Sequence, residues 1–275
     1  MIIEKQIELA KKFHQLHQEK QMLVLPNAWS AGSAIVFEKQ GFNAVATTSA
    51  GIAYSLGYPD GEGIHFEDLC TVVKQITKRI SIPLSVDFEC GYGESVAEVK
   101  ENAKKLILAG AVGINIEDGL PNGNLNDLDF QLEKIESLVQ LKEELGIPFV
   151  INARTCVYWL DVADDASKIA TAIERGNAFV KSGADCVFIP GALSEEIVET
   201  LVSAIDAPLN IIANPLFNDF QKLNRIGVRR LSVGSGAVRS AFNHLIAIGD
   251  NLKKGDISLM LNHQFSYKYA NEFFE

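Results

Sequence analysis

The 275-residue chain has no apolar run long enough to form a transmembrane helix, so a membrane-spanning bundle is excluded. Positive charge is scarce: 25 Lys and Arg face 35 Asp and Glu, leaving a net charge of −10. The basic face that nucleic acid or an anionic membrane requires is therefore missing, and neither is expected as a partner. The four cysteines, Cys70, Cys90, Cys156 and Cys186, form no C-x-x-C pair, so they read as reduced thiols rather than a disulfide framework. No Ser- or Pro-rich linker and no shift in composition divides the chain, which predicts a single domain over residues 1–275. No G-x-G-x-x-G follows the first strand candidate, which argues against dinucleotide binding. The five histidines, His14, His17, His65, His244 and His263, fall away from the strand ends, which disfavours zinc and a histidine base. Residues 1–20 mix Glu, Lys, Gln and His with Ile, Leu and Phe. They read as an amphipathic helix rather than a secretory leader, so a cytoplasmic protein is expected.

What the chain does have is alternation. Short apolar, β-rich runs recur at Met22–Leu25, Ala44–Thr47, Leu84–Val86, Gly113–Ile116, Phe149–Ile151, Cys186–Ile189, Leu209–Ile212 and Arg230–Val233. Between them lie longer helical patterns such as Ser95–Ala109, Phe130–Leu145, Asp165–Ser182 and Ser194–Ala204. Strands without polar alternation, each followed by a helix, indicate βαβ units and a parallel sheet covered on both faces. Gly110, Gly146, Gly183 and Gly227 stand where helices should stop. Eight such units in a chain near the ~250 residues typical of the fold predict a TIM-type (β/α)8 barrel. Residues 256–275 form an aromatic helical tail that either docks on its own barrel or is exchanged with another subunit.

Barrel enzymes place chemistry at the carboxyl ends of the strands. Acidic residues crowd the ends of the second, third and fourth: Asp60, Asp87 with Glu89, then Glu117 and Asp118, with no lysine among them. Carboxylates this close raise one another's pKa values, and a divalent cation is the simplest remedy. Oxygen donors without histidine or thiolate suit Mg²⁺ or Mn²⁺. Taken singly, Asp60 and Asp118 are equally compatible with a helix cap or turn former, whereas Asp87 and Glu89 favour a metal site. Arg154, beside Asn152, is either a structural cation or a fork for a substrate carboxylate. Gly234-Ser235-Gly236 reads as a plain βα turn rather than an anion cradle, and Cys156 as a small buried thiol.

These segments, LPNAWSAGSA, TTSAGIAYSLGYPDGE, SVDFECGYGE, INIEDG, INARTCVYW, IIANP and VRRLSVGSG, resemble the isocitrate lyase/phosphoenolpyruvate mutase superfamily from about Leu25 to Arg239. The resemblance implies a β/α barrel that binds Mg²⁺ and a 2-oxo- or 2-hydroxy-carboxylate, assembled as a homo-oligomer, a dimer or tetramer with exchanged C-terminal helices. It implies Asp87 as the direct Mg²⁺ ligand, with Glu89 and Glu117 holding the ion through waters. Asp60 resembles the aspartate beside the metal shell. Ser49, Ala50 and Gly51 resemble the turn that holds the substrate carboxylate, with Arg154 and Asn214 as further contacts. The implied chemistry is lyase-type C–C cleavage through an enolate, with phosphonomutase or hydrolase action on a pyruvate-like acid, or an inactive oxo-acid-binding protein, as alternatives. Isocitrate and methylisocitrate lyases carry a K-K/R-C-G-H stretch after the fourth strand. Here the loop reads Leu120-Pro121-Asn122-Gly123-Asn124-Leu125-Asn126, which predicts against efficient turnover of either substrate. Mutases carry lysine and asparagine there. Asn124 resembles the asparagine and is the loop's one catalytic candidate, while the lysine is absent.

Overall fold

A computed structural model describes residues 2–120, 122–160, 164–217, 219–261 and 265–275. The first strand is broken by its own sequence. Pro26 has no N–H to give to a ladder, so β1 (Leu23–Leu25) stops before it and β2 (Asn27–Ala28) resumes after it. The Pro26 carbonyl still accepts from Ala46 N–H at 2.9 Å. β1 pairs with β9 (Arg230–Ser232) and β2 pairs with β3 (Val45–Thr47), both in parallel. The other strands neighbour one another in chain order: β4 (Leu84–Asp87), β5 (Gly113–Glu117), β6 (Val150–Arg154), β7 (Cys186–Ile189) and β8 (Leu209–Ile212). Because β1 and β2 are continuous chain, the two ends of this order meet, and the sheet closes into the expected eight-fold β/α barrel. Asn27 stitches the seam. Its Nδ2 donates to Thr47 O at 2.7 Å, and its Oδ1 accepts Val233 and Gly234 N–H at 2.9 Å each.

Helices α2 (Ala31–Lys39), α3 (Ser49–Leu56), α4 (Phe66–Thr77), α5 (Val96–Leu108), α6 (Leu128–Leu145), α7 (Asp165–Lys181), α8 (Glu195–Ala204) and α9 (Phe220–Ile226) lie around the sheet. Their starts are written in the sequence. Ser30 and Ser95 form capping boxes, and Thr48 accepts from Gly51 N–H at the start of α3. Such caps are worth ~1 kcal/mol each. Helices stop at all four expected glycines: left-handed Gly146 and Gly227 cap α6 and α9, and left-handed Gly110 and Gly183 directly follow the C-caps of α5 and α7.

Strands β7 and β8 occupy the residues expected of them, but β4, β5 and β6 run further, taking in Asp87, Glu117 and Arg154. The ladder carries them: Asp87 pairs with Asn115 and Glu117 with Arg154. These polar residues are thus fixed by strand backbone rather than carried on loops.

α1 (Ile2–Gln18) closes the amino end of the barrel with Phe13 and His17. Phe13 fits because β5 begins at Gly113, where a Cβ would sit 2.6 Å from Phe13 Cε1. Above Phe13, buried Arg230 points into the barrel, its guanidinium 5.9 Å from the ring and donating to Asn115 Oδ1 at 3.2 Å. At the other terminus, α10 (Gly236–Lys253) projects with Leu245 and Ile246 exposed, followed by α11 (Ser258–Leu261). α12 (Tyr267–Phe274) returns to its own barrel, where Arg79 donates to Phe274 O at 2.7 Å and Lys39 lies over the Phe273 ring. His263 lies outside the described residues. Among the described residues, no helix is long and apolar enough to cross a membrane.

Candidate active site

A cavity of about 570 Å³ opens at the carboxyl ends of the strands. On one side stand the acids. Asp87 ends β4, accepts Ser49 N–H at 3.4 Å through Oδ2, and leaves Oδ1 buried with no hydrogen-bond partner among the described residues. Glu117 ends β5 and pairs with Arg154 Nη1 at 2.7 Å. Asp60 comes up on the turn after α3, where the Ser49 hydroxyl bonds its carboxylate. Glu89 follows β4, and strand alternation does not place it, because the strand ends at Asp87. Its φ of 50° turns the backbone left-handed, and the buried side chain accepts from Glu62 N–H and the Tyr92 hydroxyl.

The electrostatics follow from this crowding. Burial pushes the Glu89 carboxyl up to about 8, against the Tyr92 hydrogen bond and with help from the Asp87 charge. Burial also raises Glu117, although Arg154 opposes the shift. Asp60 is exposed as a residue at the rim, yet desolvation of its carboxyl raises it, with Asp87 adding to the effect.

The sequence suggested that no lysine lies among these acids, and that expectation is corrected. Lys134, from the middle of α6, runs its buried side chain up beneath the cluster and donates to the carbonyls of Cys90 and Glu117 at 3.2 Å each. Its place on the helix is legible in hindsight. Gln131, Lys134, Leu138 and Leu141 form a buried stripe at helical spacing, so a lysine stands where a core residue should.

Opposite the acids, Arg154 is held between the rings of Trp159 at 5.3 Å and Phe188 at 5.6 Å, and its Nε has no partner among the described residues. Burial opposes its charge, but the Glu117 carboxylate outweighs this and raises its pKa. Ser49 and Ala50 line the cavity at the start of α3, where first-turn N–H groups have no intrahelical acceptor. Gly51 does not line it. Its N–H is taken by the Thr48 cap, and a Cβ there would lie 2.5 Å from Thr48 Cγ2 and 3.0 Å from Trp29 Cβ. Asn214 is at the mouth, with Oδ1 accepting the N–H groups of Leu216 and Phe217 in a local turn.

Asn124 is not brought to the cavity. It is exposed, its backbone closes the turn with Leu120, and among the described residues of the loop 120–126 only Leu120 reaches the lining. Pro121 lies outside the described residues. Asp118 is structural: fully buried, it pairs with Arg175 at 2.7 Å and accepts Cys156 N–H. Two thiols line the wall. Burial pushes Cys90 up to about 12 and raises Cys156 well above the usual thiol range, so neither is poised as a thiolate. Tyr54 sits on a neighbouring groove, and Tyr92 donates its hydroxyl to Glu89. Glu62, Tyr158, Trp159 and Arg239 also line the cavity and were not singled out beforehand.

The phosphoenolpyruvate phosphomutase family model matches residues 13–252. A Mycobacterium tuberculosis (strain ATCC 25618 / H37Rv) protein without an assigned activity is 33% identical, over 81% of this chain and 81% of its own. The 2-methylisocitrate lyase of Escherichia coli (strain K12) is 31% identical, over 75% of this chain and 72% of its own. A crystal structure from Burkholderia cenocepacia J2315, provisionally described as a lyase or mutase, superposes with a TM-score of 0.91 at 28% identity. It covers 98% of this chain and 97% of that one. The chain belongs to the phosphoenolpyruvate phosphomutase family, within the isocitrate lyase/phosphoenolpyruvate mutase superfamily.

Proposed function

We propose that the cavity binds Mg²⁺ together with a small 2-oxo or 2-hydroxy carboxylate and breaks, or reversibly forms, the bond to its C3. One observation carries this reading: Asp87 Oδ1 is buried without a partner among the described residues, in the midst of Asp60, Glu89 and Glu117, whose carboxyls are all raised. An unpaired buried carboxylate oxygen is costly, and a hard divalent cation relieves both that and the mutual repulsion. Among the described residues, no three His, Cys, Asp or Glu side chains converge as direct ligands of one ion. That suits Mg²⁺, which keeps several waters and takes one or two carboxylates directly. Asp87 would hold the ion directly, and Glu89 and Glu117 through waters. When bound, the cation would polarise the 2-oxygen of the substrate and lower the cost of negative charge there as the C3 bond breaks.

The chain's own groups orient the acid. Arg154 offers its guanidinium to the carboxylate, clamped by Trp159 and Phe188 so that little side-chain freedom is lost on binding. The N–H group of Ala50 at the start of α3 supplies a further anion contact, while that of Ser49 is held by Asp87. Asp60, tied to Ser49, links the carboxylate side of the cavity to the metal side.

The loop 120–126 sets the limits of the reaction. Its described residues offer no side chain that can donate a proton near neutrality, so cleavage of isocitrate or methylisocitrate should be feeble. The same lack favours a second reading, a binding protein that keeps the site without turnover. The mutase and hydrolase alternatives have less support, since Asn124 stands outside the cavity. A panel of 2-oxo and 2-hydroxy acids with Mg²⁺, followed by product NMR, separates these cases. Release of a pyruvate- or glyoxylate-type fragment supports the lyase. Thermal stabilisation by the acids with no product supports the binding protein. Cleavage of methylisocitrate near the ~10 s⁻¹ common among enzymes would remove the argument from the loop. The exposed apolar residues Phe242, Leu245 and Ile246 on α10 suit burial against a second copy of the chain, a dimer or tetramer. A monomeric mass in sedimentation at micromolar concentration would remove that part of the reading.

A further inference from the structure

Among the described residues, three non-glycine positions have left-handed backbone: Glu62, Glu89 and Tyr92, with φ of 53°, 50° and 52°. Each such residue costs roughly 1–2 kcal/mol, and all three meet at one spot beside the cavity. The contacts there are reciprocal. Glu62 N–H donates to Glu89 Oε2 at 2.7 Å, while Glu62 Oε1 accepts Cys90 N–H at 3.0 Å and Tyr92 N–H at 3.2 Å. The Tyr92 hydroxyl donates to Glu89 Oε1 at 2.5 Å.

The backbone between Glu89 and Tyr92 is satisfied on its carbonyl side as well. Lys134 donates to Cys90 O, Asn102 donates to Tyr92 O at 2.7 Å, and Glu117 N–H donates to Glu89 O at 2.9 Å. Of these anchors, only Glu62 comes from the turn that carries Asp60. That turn is itself tight: a Cβ at Gly63 would lie 2.8 Å from Pro59 O.

We propose that Glu62 is a positioning residue, which locks the Asp60 turn to the Glu89 turn so that acids from two separate βα loops face one point before a ligand arrives. The inference rests on the reading of the cavity as a Mg²⁺ site and adds the device that preorganises it. Two backbone N–H groups accepted by one carboxylate oxygen hold a strained turn that the chain would otherwise relax. Relaxation would swing Glu89 away from Asp87.

The geometry, not the charge, of Glu62 performs this task, and that separates it from a direct ligand. Glu62→Gln keeps an oxygen able to accept both N–H groups, whereas Glu62→Ala removes the acceptor. The test measures Mg²⁺ affinity by calorimetry without any acid present, together with residue-resolved hydrogen exchange of the Cys90 and Tyr92 amides. In Glu62→Ala both amides should exchange at least tenfold faster, and Mg²⁺ affinity should fall about 10–100-fold, as on loss of other groups that orient metal ligands. Glu62→Gln should restore most of both, a rescue that a ligand acting through its charge would not give. Mg²⁺ affinity unchanged in folded Glu62→Ala overturns the proposal. So does a Glu62→Gln variant as impaired as Glu62→Ala. Wild-type protein that takes up no Mg²⁺ overturns the reading of the cavity first, and the role of Glu62 with it.

Discussion

The two ends of the barrel handle buried charge in opposite ways. At the carboxyl end, Asp60, Asp87, Glu89 and Glu117 are gathered around a cavity, with Arg154 paired to one of them and Lys134 beneath. At the amino end, Arg230 is fully buried over the Phe13 ring with neutral partners, Asn115 and Ser85, while its Nε and Nη1 have none among the described residues. Burial lowers Arg230 to about 10, so it stays charged at neutral pH. Burial, then the Arg230 charge, pushes His17 down to about 3. Its Nδ1 donates to Phe13 O, as the neutral ring can. One end therefore concentrates negative charge where a ligand can enter. The other buries positive charge where α1 shuts the barrel. The contrast teaches that a polar barrel interior is not by itself a functional signal: access decides.

If this division holds, substitutions at one end leave the other's property alone. The largest effect is expected at Asp87. Asp87→Ala should abolish Mg²⁺ binding in calorimetry, while Glu89→Gln weakens it more mildly, because a ligand acting through water contributes less. Equal affinity in wild type and Asp87→Ala would sink the assignment.

At the closed end, the expected effect is on stability. The folded pKa of His17 lies below its unfolded value near 6.5, so the unfolded chain takes up the proton first as pH falls. The stability associated with the neutral ring is present above about pH 6.5 and is lost progressively down to about pH 3. In urea unfolding, wild type should lose about 2–3 kcal/mol more between pH 7 and pH 4.5 than His17→Met does. The same variant should bind Mg²⁺ as wild type does. A shared acid dependence of wild type and variant would break the comparison from below.

The smallest effect is expected at the cation that faces the acids. Arg154→Lys keeps the charge but loses the planar fork and its seat between two rings. It should raise KM for a 2-oxo acid by about tenfold, or about 1–2 kcal/mol, with kcat less affected. A variant that unfolds, with KM unchanged in the folded fraction, would make Arg154 a structural partner of Glu117.

The alternation of strands and helices was legible because each strand is an apolar run and most of the helices around the barrel end at a glycine or begin at a Ser, Thr or Asp, α4 with its His65 cap being an exception. β7 and β8 fall on the residues expected. Pro26 was visible, but its consequence, a strand broken in two yet continuous around the barrel, depends on partners far away in sequence. The acids of the site were legible as a cluster at strand ends. Their geometry was not: Glu89 faces the cavity through a left-handed turn, and Asn124, credible by motif, is exposed and outside the cavity lining. Lys134 and Glu62 were missed for a shared reason. A charged residue on a helix or in a glycine-rich turn reads as solvated unless the long side chain is traced to what it reaches.

The seam at Asn27 bears on how the protein is made. Asn27 and Gly234 are 207 residues apart, and among the described residues the ladder partner of β1 is β9. A ribosome releases the first strand long before the last exists. Until residue 232 emerges, every growing chain has an open sheet edge, which is the kind of surface that captures other chains. Closure is therefore a late and non-local event, slow by the standards of local helix formation. Truncation anywhere before β9 leaves the barrel unable to close, however complete the acidic end might be.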